Sequence, residues 1–343
     1  MEISEARALF TPAGTYLDTA TFGLPPRGAV AALEAALAEW RCGRTGFDGW
    51  DESVGRSRAA VARLLGVAAS DVAVGSQASS LVAPVALGLR PGARVVSVEG
   101  EFTSLIFPFL ARPDLDVQLV PLAGLLDAVG DGVDLVAVSA VQSSTGEVAP
   151  LAELAAAAAA HGARTLVDAT QALGWLPLDA LRLDYVVASG YKWLCGPRGT
   201  AFLAVRPEAA SALRVVAPNW YAGEVVADSY YGAPLRLAPD ARRFDLSPAW
   251  HCFVGLAPAL DVLEAVAIER IHDHDVALAA RFRAGRGLEA PASAIVSIAV
   301  GAEAGERLAA RGISASPRAG RLRVSFHLYN TEADVDALLE ALE

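Results

Sequence analysis

The sequence predicts an α/β protein of three layers, a mostly parallel sheet covered on both faces by helices, followed by a smaller C-terminal α+β unit. Three observations lead there. The central strands are short apolar runs without polar alternation, as strands buried on both faces require. They are separated by segments with helical spacing of apolar residues. Polar residues gather just after the carboxyl ends of these strands, where open α/β sheets place their sites.

The elements follow in order. Amphipathic helices are predicted over 29–40 and 53–65. A short strand at 72–74 runs into Gly75-Ser-Gln-Ala-Ser-Ser80 and a helical stretch at 81–89. Next come a strand at 94–98, a helix at 103–110 and strands at 117–120 and 135–139. A helix at 151–161 precedes the strand 165–167, which ends at Asp168. A further strand, 185–188, ends at Ser189, and another covers 201–205. Residues 206–247 are rich in Pro, Tyr and Asp and read as long loops, and 250–271 reads as one long helix. The remainder reads helix, strand (294–300), helix (303–311), strand (321–326), helix (331–342). The expected organisation is an N-terminal segment (1–15), a large domain (16–249), a connecting helix (250–272) and a small domain (273–343).

Composition narrows the function. At 343 residues and 54% hydrophobic content the chain can build a large core. Its apolar stretches are broken by charges, Gly or Pro before they reach membrane-spanning length. The first seven residues lack the pattern of a signal peptide, so a cytoplasmic location and no membrane partner are expected. A net charge of −11 argues against nucleic acid as a partner. Cys42, Cys195 and Cys252 have no metal or redox spacing and read as reduced thiols. The histidines form no metal cluster, and His272 and His274 read as surface residues of a helix, pointing apart.

The most informative residue is Lys192. It is the single lysine among 28 Lys plus Arg, so 27 basic residues are arginine. Arginine serves wherever only positive charge is needed. It cannot supply a deprotonated amine that attacks a carbonyl. Asp168 and Lys192 close neighbouring strand units, so a carboxylate and an amine face one crevice. Pyridoxal phosphate is the cofactor that needs this pair: an amine for a Schiff base with its aldehyde, and an anion to hold the proton of its ring nitrogen. Its phosphate needs backbone N–H groups at a helix N-terminus and hydroxyl donors, which the Gly75-Ser76-Gln77-Ala78 loop supplies.

At these residues the chain resembles the class V aminotransferase family of fold-type I pyridoxal-phosphate enzymes, which includes cysteine desulfurases, isopenicillin-N-epimerase-like proteins and relatives of kynureninase. Tyr16-Leu-Asp-Thr-Ala-Thr-Phe-Gly-Leu-Pro-Pro26 is similar to the family's opening segment. Asp168-Ala-Thr-Gln171, Ser189-Gly-Tyr-Lys192 and Gly196-Pro-Arg-Gly199 resemble its central motifs. Arg243-Phe-Asp-Leu-Ser-Pro248 and Arg323-Val-Ser-Phe-His-Leu-Tyr-Asn-Thr-Glu332 resemble its later ones. The resemblance implies roles. Lys192 would carry the cofactor and shuttle the α-proton, and Asp168 would pair with the ring nitrogen. Gln171 would bond the ring hydroxyl. Ser76, Gln77 and Ser189 would hold the phosphate, with Ser247 reaching the phosphate of a neighbouring subunit in a homodimer with shared sites. Arg323 would bind the α-carboxylate of a small amino-acid substrate.

Departures from the family pattern matter as well. Tyr191 and Phe102 stand where many members carry histidine, and Ser143 where asparagine is common. Phenylalanine can stack on the ring but cannot move protons. The stretch 291–322, where desulfurases keep a nucleophilic thiol, has no cysteine. The leading expectation is therefore an aminotransferase. A racemase or epimerase, or a β-eliminating lyase, would use the same amine, and a non-catalytic binding protein is the remaining reading on this fold. Gly285-Arg-Gly-Leu-Glu-Ala290 fits a dinucleotide-binding string, but it follows a helical stretch rather than a strand.

Overall fold

The computed structural model describes residues 1–44, 46–289 and 291–343. In chain order the elements are α1 (Ile3–Arg7), β1 (Thr15–Tyr16), α2 (Arg27–Arg41), α3 (Phe47–Leu65), β2 (Val72–Gly75), α4 (Ala78–Gly88), β3 (Arg94–Val98) and α5 (Thr103–Leu110). They continue with β4 (Asp116–Val120), β5 (Leu135–Ser139), α6 (Leu151–His161), β6 (Arg164–Asp168), β7 (Tyr185–Ser189), β8 (Ala201–Val205), α7 (Trp250–Val266) and α8 (Ile268–Gly285). The chain ends with β9 (Ile295–Ile298), α9 (Ala304–Ala310), β10 (Ile313–Ser314), β11 (Ser316–Arg318), β12 (Arg321–Ser325) and α10 (Glu332–Ala341). Between β8 and α7 the chain forms only short 3₁₀ turns, as the Pro- and Tyr-rich composition predicted.

Strands β2–β8 form one seven-stranded sheet in the order β2-β8-β7-β6-β5-β3-β4. All pairings are parallel except those of β8, which runs against both β2 and β7. Every residue of β2, β5, β7 and β8 is buried, the reason these strands show no polar alternation. Helices α4 and α5 pack on one face, where Leu81, Val85, Leu105 and Phe109 meet Val95, Leu135 and Leu203. On the other face α3 and α7 place Val61, Leu65, Leu256 and Leu260 against Val74, Val186 and Phe202. At roughly 1.5–3 kcal/mol for each large apolar side chain fully buried, these two interfaces dominate the stability of the sheet.

A second sheet, β11-β12-β9, is antiparallel and packs on α8, α9 and α10 through Phe282, Leu308, Phe326 and Leu338. The N-terminus reaches this region. β1 pairs with β10, and Asp18 bridges to Ser325.

The sequence reading of one helix over 250–271 is corrected. The helix stops at Val266, and Ala267 takes φ +78° before α8 begins. The two helices bend by 84°. Nothing in the sequence marks the break, because alanine is a good helix former and avoids this conformation. The bend also overturns the surface reading of the two histidines. His272 is half-buried and stacks on Trp175 (centroids 5.7 Å apart, 3° between planes), and half-buried His274 points Nε2 at Asn330 O at 3.2 Å. The string from Gly285 opens at the C-terminus of α8, which excludes the strand-to-helix turn of a dinucleotide fold; its last residue, Ala290, lies outside the described residues. Among the described residues no single helix is long and apolar enough to cross a membrane, and no group of three or more metal-ligating side chains occurs.

Candidate active site

Five strand ends of the large sheet open into one cavity of about 320 Å³. β2 contributes Ser76, Gln77 and Ala78 just beyond its end, and β3 leads to Phe102 and Ser104. From β5 come Ser139 and Ser143, from β6 Asp168, Thr170 and Gln171, and from β7 Ser189, Tyr191 and Lys192. Arg198 and Gly199 complete the lining. Eight of the ten residues singled out in the sequence therefore converge. Ser247 is exposed and does not line the cavity of its own chain. Arg323 is buried behind Ser143 rather than on the wall.

Side chains outside the cavity fix the walls. Arg58, nearly buried, bonds Val72 O and forms a two-pronged pair with Asp245, at 3.0 and 2.7 Å. Asp245 also accepts Val74 N–H at 2.8 Å. This pair clamps β2, and with it the Ser76 loop, to the segment that carries Ser247. Glu101 performs the same task on the other side. Its carboxylate accepts from Phe102 N, Ser139 N, Ser139 Oγ and Gln142 Nε2, which sets the direction of Phe102. The N-terminus of α4 carries no side-chain cap at Gln77, so its first N–H groups are free to meet an anion.

Lys192 lies beneath two aromatic rings, its Nζ 5.2 Å from the centre of Phe102 and 5.7 Å from that of Tyr191. Burial lowers its pKa to about 8; Asp168 opposes the shift, and Arg323, Arg318 and Arg198 add to it. At neutral pH a usable fraction of the amine is therefore unprotonated. Asp168 is fully buried, and Thr170 N–H donates to its carboxylate at 2.8 Å. Burial pushes its pKa up, the Thr170 hydrogen bonds oppose this, Glu101 raises it further and Lys192 lowers it. A cationic ring nitrogen would remove that penalty.

The segment after Lys192 is held by Trp193. Its indole donates to Gln171 Oε1 at 2.8 Å, and its carbonyl faces His327 Nε2 at 3.1 Å. Gln171 in turn spends its amide donors on Ala20 O (2.9 Å) and Ser143 Oγ (3.0 Å). The role implied for Gln171, bonding the ring hydroxyl, is thus not free in this arrangement, because both N–H groups are occupied. Arg323 reaches Ser143 O at 2.7 Å, Ser143 Oγ at 3.1 Å and Thr21 Oγ1 at 2.6 Å, with Asp18 at 3.6 Å. Its Nε has no partner among the described residues. Sequence reasoning missed Trp193 and Asp275, and Thr170 and His327 stood inside quoted motifs without a role. Arg198 stood inside a quoted motif without a role, whereas Arg318 carried no local signal.

Close approach around Lys192 depends on glycine. A Cβ on Gly23 would sit 1.9 Å from Lys192 O. Gly23→Ala is expected to cost about 1–3 kcal/mol through forced backbone shifts. Turnover should fall with it, read by urea unfolding and kcat on one preparation.

A fold of this kind, with an amine and a carboxylate at its strand ends and a free helix N-terminus beside them, defines a site for an anionic, carbonyl-bearing ring cofactor. The sequence model of the Aminotransferase class-V family matches residues 50–290, and the chain belongs to that family. It is 27% identical over 312 residues to the uncharacterized aminotransferase YcbU of Bacillus subtilis, with 83% of each chain covered. It is 33% identical over 248 residues to isopenicillin N epimerase of Amycolatopsis lactamdurans, covering 63% of this chain and 61% of that one. The solved complex of the cystine C–S lyase C-DES with cysteine persulfide has a TM-score of 0.86 at 22% identity, over 96% of this chain and 97% of that one, a likeness of fold. The protein is a pyridoxal-phosphate-dependent enzyme, with pyridoxal 5'-phosphate as its cofactor.

Proposed function

We propose that the enzyme is an aminotransferase acting on a small amino acid, with Lys192 as its catalytic base. The observation that carries this reading is that one buried amine, its pKa lowered to about 8, lines the same cavity as the buried carboxylate of Asp168. The cofactor supplies an aldehyde for that amine and a conjugated ring that takes up electrons from the substrate α-carbon.

The residues divide the remaining work. Asp168 holds a proton on the ring nitrogen. Ser76, Gln77, Ser189 and the α4 N-terminus bind the phosphate. Phe102 covers a ring face and excludes water. Ser143 takes the ring-hydroxyl role implied for Gln171, which orients Ser143 instead. Arg323, with its unpartnered Nε, orients the substrate carboxylate. Lys192 would take the proton from the substrate α-carbon and deliver it, on the same side, to the cofactor carbon that carried the aldehyde, which is what transamination needs. A two-base racemase would need a second acceptor. Tyr191, its pKa raised chiefly by burial, is a proton donor rather than a base at neutral pH.

Among the described residues no thiol lines the cavity to carry persulfide chemistry. Cys195 is buried, Cys42 is exposed, and Cys252 donates to Arg198 O at 3.2 Å while burial raises its pKa. Ser247 is proposed to complete the site of a second copy in a homodimer.

Incubation of the yellow holoenzyme with a panel of amino acids plus a 2-oxo acid tests the reading. Transfer of the amino group to the 2-oxo acid is expected. Inversion at the α-carbon without transfer would instead make it an epimerase. Release of ammonia without an acceptor would make it a lyase.

A further inference from the structure

Three guanidinium groups, those of Arg198, Arg318 and Arg323, lie near Lys192, and one carboxylate answers them. Arg323 and Arg318 both donate through Nη2 to the single hydroxyl of Thr21, at 2.6 and 3.0 Å. Asp18 lies 3.6 Å from Arg323 Nη2 and is itself held by Ser316 Oγ at 2.5 Å. The other hydrogen bond of Arg318 goes to Pro317 O at 2.8 Å. Arg198 stands on the cavity rim, its guanidinium 5.3 Å from the centre of the Tyr191 ring. That ring tilts against Phe22 at 5.5 Å, and Phe22 follows Thr21, the residue that Arg318 bonds. Among the described residues neither has a carboxylate within 4.0 Å.

The cofactor phosphate does not account for this charge. Its cradle is at the N-terminus of α4, with Ser76, Gln77 and Ser189. The substrate α-carboxylate accounts for Arg323 alone. Arg318 is placed by the hairpin itself: it closes β11 opposite Arg321, and the turn passes through Ala319 and Gly320, at φ 49° and 73°. All three arginines lower the pKa of the Lys192 amine, so each lies near it.

We propose that the amino-acid substrate carries a second carboxylate on its side chain, and that Arg318, with Arg198 beside it, binds that group. The inference rests on the amino-acid reading above and names the substrate class within it. A guanidinium meets a carboxylate with two parallel hydrogen bonds, a geometry lysine would not give. Such a site also rejects an apolar side chain of equal length, because the cations are then left without a partner.

The test uses the holoenzyme in two assays. In the first, succinate and glutarate are titrated by calorimetry against butyrate. In the second, kcat/KM is compared for L-aspartate, L-glutamate, L-alanine and L-norvaline as amino donors. The dicarboxylates are expected to bind at least ~10-fold tighter than butyrate. One acidic amino acid is expected to exceed the apolar ones by at least the same factor. In Arg318→Gln both ratios should collapse toward one. A ratio within one sample is insensitive to any misfolded fraction. Equal binding of butyrate and the dicarboxylates, or a preference that survives in Arg318→Gln, would overturn the assignment. Turnover of L-alanine or L-norvaline with no advantage for acidic donors sinks this inference alone. Failure of every amino acid to react or to change the cofactor spectrum sinks the amino-acid reading beneath it as well.

Discussion

Lys192→Arg should give a folded protein that keeps its charge and loses turnover. The wild-type amine is held at about 8 by burial, within reach of neutral pH. A guanidinium in its place stays protonated, so it can neither attack the cofactor carbonyl nor accept the α-proton. Loss of general-base transfer alone is worth ~10²–10⁴ in rate, and the covalent step is lost with it, so kcat should drop by more than ~10³. The same variant removes the attachment point. Borohydride reduction of the wild type should place the cofactor on Lys192, since no other side-chain amine exists in the sequence. Reduction of the variant should label no side chain. Arginine is bulkier, so Lys192→Met provides a second variant that is neutral and close in length. If either retains full kcat, Lys192 is not the base.

The parts of this site that could be read from sequence share a physical cause. Residues in β5, β6 and β7 are buried on both faces, so their apolar runs identify them, and the polar residue that ends each run falls at the mouth of the cavity. That rule finds Asp168 and Ser189 directly and brings Ser143 and Lys192 close behind. The hidden parts depend on contacts between residues far apart in sequence. Arg323 meets Thr21 across 302 positions. Arg318 meets the same hydroxyl from a hairpin whose turn holds an alanine at positive φ, which no turn rule predicts. The break at Ala267 is of the same kind, because packing of α8 overrides the preference of alanine for helix. Once that break is missed, the face of α8 that carries Asp275 is misassigned, and with it the residue that supports Trp193.

Asp275→Ala should be the most destabilising single substitution near the site. Asp275 and His327 are both fully buried, with Oδ2 2.8 Å from Nδ1, and the other ring nitrogen of His327 faces the Trp193 carbonyl at 3.1 Å. Burial raises the Asp275 pKa and His327 lowers it; with the carboxyl ionised beside the imidazole, both of its neighbours only accept, so both ring nitrogens carry hydrogen and the ring is a cation. Burial by itself lowers the imidazole pKa; Asp275 overrides it, and the value is pushed up to about 10. Removing the carboxylate leaves an uncompensated charge in the core, which costs about 3–5 kcal/mol. Urea unfolding at pH 6 should show a loss of that size. A folded pKa above the unfolded 6.5 makes the contribution complete below pH 6.5 and removes it as pH rises through about 10. The gap between wild type and Asp275→Ala should therefore shrink steadily from pH 6.5 to 10. Lys192 in the cofactor-free protein titrates with the opposite sign, from about 8 against 10.5, and cancels in that difference because both proteins contain it. A gap independent of pH would mean that the pair is neutral in the folded state. The double change Asp275→Ala with His327→Leu removes the stranded cation, so it should recover part of the loss. It should lower kcat, because the Trp193 carbonyl one residue from the catalytic amine then loses its His327 partner.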